Sequence, residues 1–263
     1  MEESLTFLDP EGHRVAAILS RPSAATDRIV VLCHGFLSNK NSTTNRTLTR
    51  LLADHGIGTF RFDFFGQGES EGAFEDITVS RAVSQASAAI DVLALHGNVR
   101  IGLAGSSFGG LVGILTTARR PEVACLALKC PVVDFAEELR LEFGPAELAK
   151  WQATDTIPDI TGGLQRIRLR YALYEDSLRH IAYGPAQNIR VPTLIVQGER
   201  DELVPLHQSR RLFDILAGEK RLNSLPDADH QFTRREDFEA MTQAITEWFH
   251  RHLGTFQAPE SHL

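Results

Sequence analysis

Apolar positions recur along this chain in short runs, each followed by a longer stretch with helical spacing. The runs at 28–33, 99–104, 123–129 and 191–197 are rich in Val, Ile, Leu and Ala, and the more polar 58–63 and 220–225 fall in the same rhythm. Runs of that length, bounded by Gly, Pro or Asp, predict strands, the apolar ones buried on both faces. Between them, 43–55, 77–95, 108–119, 207–216 and 234–253 predict helices. A hairpin of 5–8 and 14–19 around the turn-forming Asp9-Pro10-Glu11-Gly12 opens the chain. Strand-helix alternation at this spacing predicts a mostly parallel sheet with helices on both faces, an α/β fold.

Residues 131–190 interrupt the alternation. Helix-like pieces at 135–141, 145–154 and 171–181 predict an inserted cap, which leaves 1–130 and 191–263 as the core. Phe135, Trp151, Tyr171 and Tyr174 could line a pocket beneath it or fasten cap to body. Asp134 could touch substrate or cap a helix. Helical spacing reads Glu137, Glu138 and Glu142 as surface residues, and the alternating Arg166, Arg168 and Arg170 as a solvated face. The tail after Leu253 reads as frayed, and no repeat or low-complexity segment is visible.

The chemistry centres on Gly105-Ser106-Ser107-Phe108-Gly109, a G-x-S-x-G pentapeptide between a strand run and a helical run. That context suits a strained turn that lifts the Ser107 hydroxyl to the carboxyl edge of a sheet, beside a helix N-terminus. A Ser hydroxyl is a poor nucleophile at neutral pH; it needs a general base, which in turn needs an orienting acid. Asp201 stands three residues past Gly198 at the end of a strand run, with Glu199 and Glu202 as rivals, and that spacing favours Asp201. His230 lies in a short loop between the last strand and the last helix, adjacent to Asp229. His207, His250 and His252 fall in polar helical stretches and read as surface residues.

Four segments together resemble the α/β-hydrolase superfamily: Val30 to Phe36, ending in His34-Gly35-Phe36; Asp63 to Ser70, in the pattern D-x-x-G-x-G-x-S; the pentapeptide; and Gly198 to Pro205 with His230 after it. The run from Phe62 to Gly72 and the Phe36 loop with Asn39-Lys40 are most similar to bacterial feruloyl or cinnamoyl esterases, which usually carry His where this chain has Gln67 and Ser106. The resemblance implies a serine carboxylesterase, with Ser107 as nucleophile, His230 as base and Asp201 as its acid. It implies an oxyanion hole from the backbone amides of Phe36 and Phe108, whose rings could equally line a pocket. His34 reads as a brace for its loop. A serine aminopeptidase or amidase is the alternative of the same class, and a non-catalytic binding protein the alternative of another class, disfavoured because all three residues of the set are present.

Composition narrows this further. A chain of 263 residues with 43% hydrophobic content fits one α/β domain with a small insertion. Net charge of −7 argues against a nucleic-acid partner. The acidic N-terminus lacks signal-peptide features and no stretch is long enough to span a membrane, which predicts a cytoplasmic protein without a membrane partner. Cys33, Cys125 and Cys130 read as small buried hydrophobes, the latter two on opposite faces of one strand. No Cys/His spacing suggests a metal, no loop suggests a phosphate cofactor, and the expected partner is a small-molecule ester. Oligomeric state stays open, a homodimer being one compatible form.

Overall fold

A computed structural model describes residues 1–22, 26–95, 97, 99–157 and 168–254. The strands are β1 Glu2–Leu8, β2 Arg14–Ser20, β3 Arg28–Cys33, β4 Gly58–Phe62, β5 Arg100–Ser106, β6 Val123–Lys129, β7 Thr193–Gly198 and β8 Lys220–Leu225. The helices are α1 Thr43–Asp54, α2 Val79–Ala94, α3 Phe108–Thr117, α4 Phe135–Thr154, α5 Ala172–Leu178, α6 Tyr183–Ala186, α7 Leu206–Ile215 and α8 Arg235–Leu253. The strands form one sheet in the order β1-β2-β4-β3-β5-β6-β7-β8. β1 and β2 are antiparallel to their neighbours, and β3 to β8 run parallel.

Strand periodicity divides the core into two layers. On β3, Ile29, Val31 and Cys33 pack with α2 and α3, whereas Val30 and Leu32 pack with Leu48 and Leu52 of α1 and with α8. The central strands are therefore apolar at nearly every interior position, because both faces are covered. Every residue of α3 is buried. The carboxyl ends of β5, β6 and β7 gather at one edge, where open α/β sheets hold their ligands.

β1 starts at Glu2, before the expected 5, since main-chain pairing with β2 begins at Glu2↔Ser20 and the Glu2 carboxylate pairs with Arg61 at 2.8 Å. The polar Glu2-Glu3-Ser4 concealed this. α2 starts at Val79, later than the expected 77, because the Thr78 hydroxyl caps it by accepting from the Arg81 N–H at 3.2 Å. α4 joins the two expected pieces, 135–141 and 145–154, across a break at Gly144 (φ 68°) followed by Pro145. The expected helix at 171–181 contracts to α5, and the four-residue α6 is too short to leave a periodic signal. All three cysteines are free and buried. Among the described residues, no helix is long and apolar enough to cross a membrane. The expected frayed tail beyond Gly254, and Arg166 of the arginine run, lie outside the described residues.

Candidate active site

The turn from β5 to α3 holds Ser107 at φ 54°, ψ −117°. Such a backbone costs a non-glycine residue about 1–3 kcal/mol and persists only where the surroundings enforce it. Here they do. The Ser107 N–H donates to the Lys129 carbonyl at 2.9 Å, and the Ser107 carbonyl accepts from Gly110 at 2.8 Å and Val132 at 3.1 Å. The flanking glycines are obligatory for close approach. A Cβ on Gly105 would lie 2.3 Å from the Gly109 carbonyl oxygen, and one on Gly109 would lie 2.2 Å from that of Cys33.

The loop after β3 runs alongside, and a Cβ on Gly35 would sit 3.6 Å from the Ser107 Cβ. His34 braces it. The Phe64 N–H donates to His34 Nε2 at 3.1 Å, so Nδ1 carries the proton and donates to the Gly35 carbonyl at 2.8 Å. Burial pushes the His34 imidazole down to about 4, so it is neutral near pH 7. The Phe36 ring meets the rings of Phe74, Phe108 and Phe135 at 5.1, 5.5 and 5.6 Å. The Phe108 N–H opens a helix and so lacks an intrahelical acceptor. The Phe36 N–H likewise has no protein acceptor among the described residues.

Asp63 explains the D-x-x-G-x-G-x-S pattern. Its buried carboxylate accepts from the Lys40 N–H and Nζ, both at 2.6 Å, and from the Glu69 N–H at 2.8 Å. The Ser70 hydroxyl donates to the Asp63 carbonyl at 2.7 Å. Gly68, at φ +55°, clears the carboxylate, since a Cβ there would stand 2.2 Å from Asp63 Oδ2. Lys40 also pairs with Glu69. Burial opposes the Lys40 charge, but the two carboxylates outweigh it and hold its pKa above the ordinary value.

Asp201 and His230 meet across two loops. His230 Nδ1 lies 2.9 Å from both Asp201 carboxylate oxygens, and both side chains are almost fully buried. Asp201 also accepts from the N–H groups of Leu203 and Val204 at 3.0 and 2.8 Å and from Gln197 Nε2 at 2.9 Å. Burial works to raise its pKa, yet His230, the Val204 amide and the Cys130 thiol together hold it below the ordinary value. The neighbouring acids have other hydrogen-bond partners than the His230 ring. Glu199 accepts from Ser224, Asp229 from Thr233, and Glu202 from the His230 backbone N–H at 3.2 Å.

Ser107 and His230 open onto one cavity of about 650 Å³, together with Phe36, Phe135, Leu139 and Phe238. No hydrogen bond joins Ser107 Oγ to His230, a separation common before substrate binds. Phe108 is fully buried beneath the cavity and does not line it. Of the four aromatic candidates in 131–190, only Phe135 reaches the cavity. Trp151 instead packs on Tyr171 and Tyr174 and donates Nε1–H to the Leu169 carbonyl at 2.7 Å.

The surface reading holds for Glu142, which is exposed, and is corrected for Glu138. Glu138 and Glu142 line the cavity, and Glu138 Oε2 is buried with no hydrogen-bond partner. Burial, followed by the nearby Asp201 and Glu142 charges, raises the Glu138 carboxyl to about 8. Helical spacing missed this because α4 packs its nominally polar face over the cavity. Glu137 accepts from Gln208 Nε2 at 2.8 Å, and its side chain stays partly exposed. Asp134 caps α4 by accepting from the Glu137 N–H at 2.9 Å. Arg168 and Arg170 are exposed, as a solvated face requires, and Arg170 pairs there with Asp76, Glu75 and Asp155. His252 is also not a free surface residue, since its ring lies 4.1 Å from that of Trp248.

Sequence spacing did not point to Lys129 or Cys130. Lys129 Nζ donates to the His230 carbonyl at 2.6 Å, and burial lowers its pKa against the pull of nearby acids. Cys130, Asp201 and His230 bring Sγ, a carboxylate oxygen and a ring nitrogen within 4.8 Å of one another, a set of metal-ligand type that linear spacing could not reveal. Burial raises the Cys130 thiol well above its ordinary value and keeps it protonated, so it acts as a donor to Asp201.

Residues 24–166, more than half of the chain, match the family described as serine aminopeptidase, S33, and residues 148–262 match the family described as PhoPQ-activated pathogenicity-related protein. An uncharacterised 31.7 kDa protein from the traX-finO intergenic region of Escherichia coli is 25% identical, over 95% of this chain and 96% of its own. The mitochondrial palmitoyl-protein thioesterase ABHD10 of Bos taurus is 22% identical, over 82% of this chain and 71% of its own. A putative hydrolase from Agrobacterium vitis S4 superposes with TM-score 0.81 and 25% identity, over 95% of this chain and 99% of that one. Est1E from Butyrivibrio proteoclasticus with bound ferulic acid superposes with TM-score 0.81 and 22% identity, over the same shares of the two chains.

Proposed function

The chain belongs to the serine aminopeptidase S33 family of α/β-hydrolases, and from that premise we propose that it is a serine carboxylesterase for small-molecule esters with short acyl or hydroxycinnamoyl groups. The observation that carries the reading is the buried Asp201–His230 pair at 2.9 Å, opening onto the same cavity as the strained Ser107. In this reading Ser107 Oγ attacks the ester carbonyl carbon while His230 Nε2 takes the hydroxyl proton. Asp201 holds Nδ1–H and stabilises the imidazolium. The carbonyl oxygen becomes an oxyanion and accepts from the Phe36 and Phe108 amides, donors of a kind worth about 3–4 kcal/mol each. The C–O bond to the alcohol breaks, and His230 returns the proton to the leaving oxygen. Water, deprotonated by His230, then cleaves the acyl-enzyme, releasing the acid and restoring Ser107. Residues 131–190 would act as the cap, with Phe135, Leu139 and Phe143 of α4 bounding the acyl pocket. A thioester is split by the same steps, and the thioesterase relative supports including one among the substrates.

The test is a panel of p-nitrophenyl acetate, butyrate and octanoate, methyl ferulate and an acyl thioester, run on wild type and Ser107→Ala. Hydrolysis lost in the variant supports the reading, and full activity in the variant removes it. The second reading, a serine aminopeptidase or amidase, draws support from Glu138, whose unpartnered carboxyl borders the cavity where a substrate amine could pair with it. Aminoacyl-anilides assayed beside the esters separate the two, since only the peptidase reading expects the anilides to be turned over faster.

A further inference from the structure

A second cleft, of about 350 Å³, opens where the end of β2 and the start of β4 meet α1. Arg21, Arg46, Arg50 and Arg61 line it, with Glu2 the one carboxylate among its lining residues. It shares no lining residue with the catalytic cavity. Four arginines thus line one cleft on a chain whose net charge is −7.

Three of the four have no partner among the described residues. Arg46 and Arg50 stand one turn apart on α1, so their charges repel each other. Neither side chain, nor that of Arg21, forms a hydrogen bond or ion pair among the described residues. The other arginines of the molecule are mostly engaged, as Arg81, Arg120, Arg170 and Arg234 illustrate. Arg61 is the buried member, at 3% exposure. Its Nη1 donates to Glu2 at 2.8 Å and to the Ser20 and Thr49 hydroxyls at 3.2 Å, while its Nε is buried with no acceptor. A buried cation with an unpaired N–H, in a cleft also lined by three arginines that lack partners among the described residues, leaves the cleft short of negative charge.

We propose that this cleft binds a small ligand through a phosphate or diphosphate group. A monocarboxylate would satisfy one guanidinium fork. A phosphate group offers at least three acceptor oxygens and more than one charge, which several forks can share. The cleft is large enough for a diphosphate with a small organic substituent. The proposal is independent of the carboxylesterase reading.

The test titrates inorganic diphosphate into the full chain by calorimetry, with wild type and Arg46→Gln/Arg50→Gln. Both substituted residues are exposed, and the fold is checked by circular dichroism. The expected result is saturable binding by wild type and binding weaker by at least about tenfold in the double variant, with affinity falling as salt rises from about 50 to 300 mM. A parallel arm measures co-sedimentation with phosphatidylcholine vesicles containing phosphatidic acid. Diphosphate binding without vesicle binding assigns a soluble ligand, and vesicle binding that the double variant loses assigns a lipid headgroup; both support the site. Absence of saturable binding in both arms, or equal binding by wild type and double variant, overturns it. Ester hydrolysis by the double variant should match wild type whatever the outcome.

Discussion

Lys129 links the two halves of the candidate machinery: its carbonyl accepts the Ser107 N–H at 2.9 Å, and its Nζ donates to the His230 carbonyl at 2.6 Å. One residue at the end of β6 thus fixes both the nucleophile turn and the histidine loop, with Nζ lying 5.3 Å from the centre of the Phe232 ring. Lys129→Met keeps the stem but removes the donor. We expect kcat on p-nitrophenyl butyrate to fall by about 10- to 100-fold with KM changed little, since the lost contact orients His230 and does not grip substrate. An unchanged kcat would show that the loop holds His230 without it.

Asp201→Asn preserves shape but lets the side chain donate where it should accept, which favours the wrong His230 tautomer. The expected loss in kcat/KM is about 10³- to 10⁴-fold, measured at pH 7. Stability carries a second signature. Because the folded pKa is depressed, the charged Asp201 contributes stability that is present above its ordinary 3.8 and is lost as pH falls through the lower folded value. Thermal melts of wild type and variant should therefore converge in strong acid.

Glu138 titrates in the opposite sense. With its carboxyl raised from 4.5 to about 8, the folded state holds a proton that the unfolded state releases, so stability falls as pH rises through that window. Glu138→Gln removes the penalty. The variant should be more stable than wild type by about 2 kcal/mol at pH 8, with the difference shrinking toward pH 5. Scanning calorimetry at the two pH values decides it. In activity assays the same variant should lose any preference for cationic substrates.

Gly68→Ala places a Cβ 2.2 Å from the Asp63 carboxylate at a backbone φ of +55°. The loop tied to Lys40 must shift, and we expect a loss of about 2–4 kcal/mol in urea unfolding. The Phe36 loop is held through Lys40, so esterase activity should fall along with stability. A stable, active variant would show that Asp63 does not organise the site.

The sequence by itself determined the alternation of strands and helices, because buried parallel strands must be apolar at nearly every position and their helices apolar on one face. It also offered Ser107, Asp201 and His230 as a candidate set, because the G-x-S-x-G turn, the acid loop after Gly198 and the loop after the last strand follow the order that the α/β-hydrolase resemblance implies. Other features were set only by tertiary structure. Lys129 and Cys130 are 71 or more residues from Asp201 and His230 along the chain and meet them only through strand pairing. Glu138 carries the same polar signal as a surface residue, and only the seating of α4 over the cavity strips its water. The arginine cleft takes its lining from Glu2, Arg21, Arg46, Arg50 and Arg61, residues scattered along the sequence that share one cleft once the sheet closes against α1. Local chemistry is legible where it is enforced within a few residues, and burial and charge environment are not, because they depend on which distant segment arrives to exclude water.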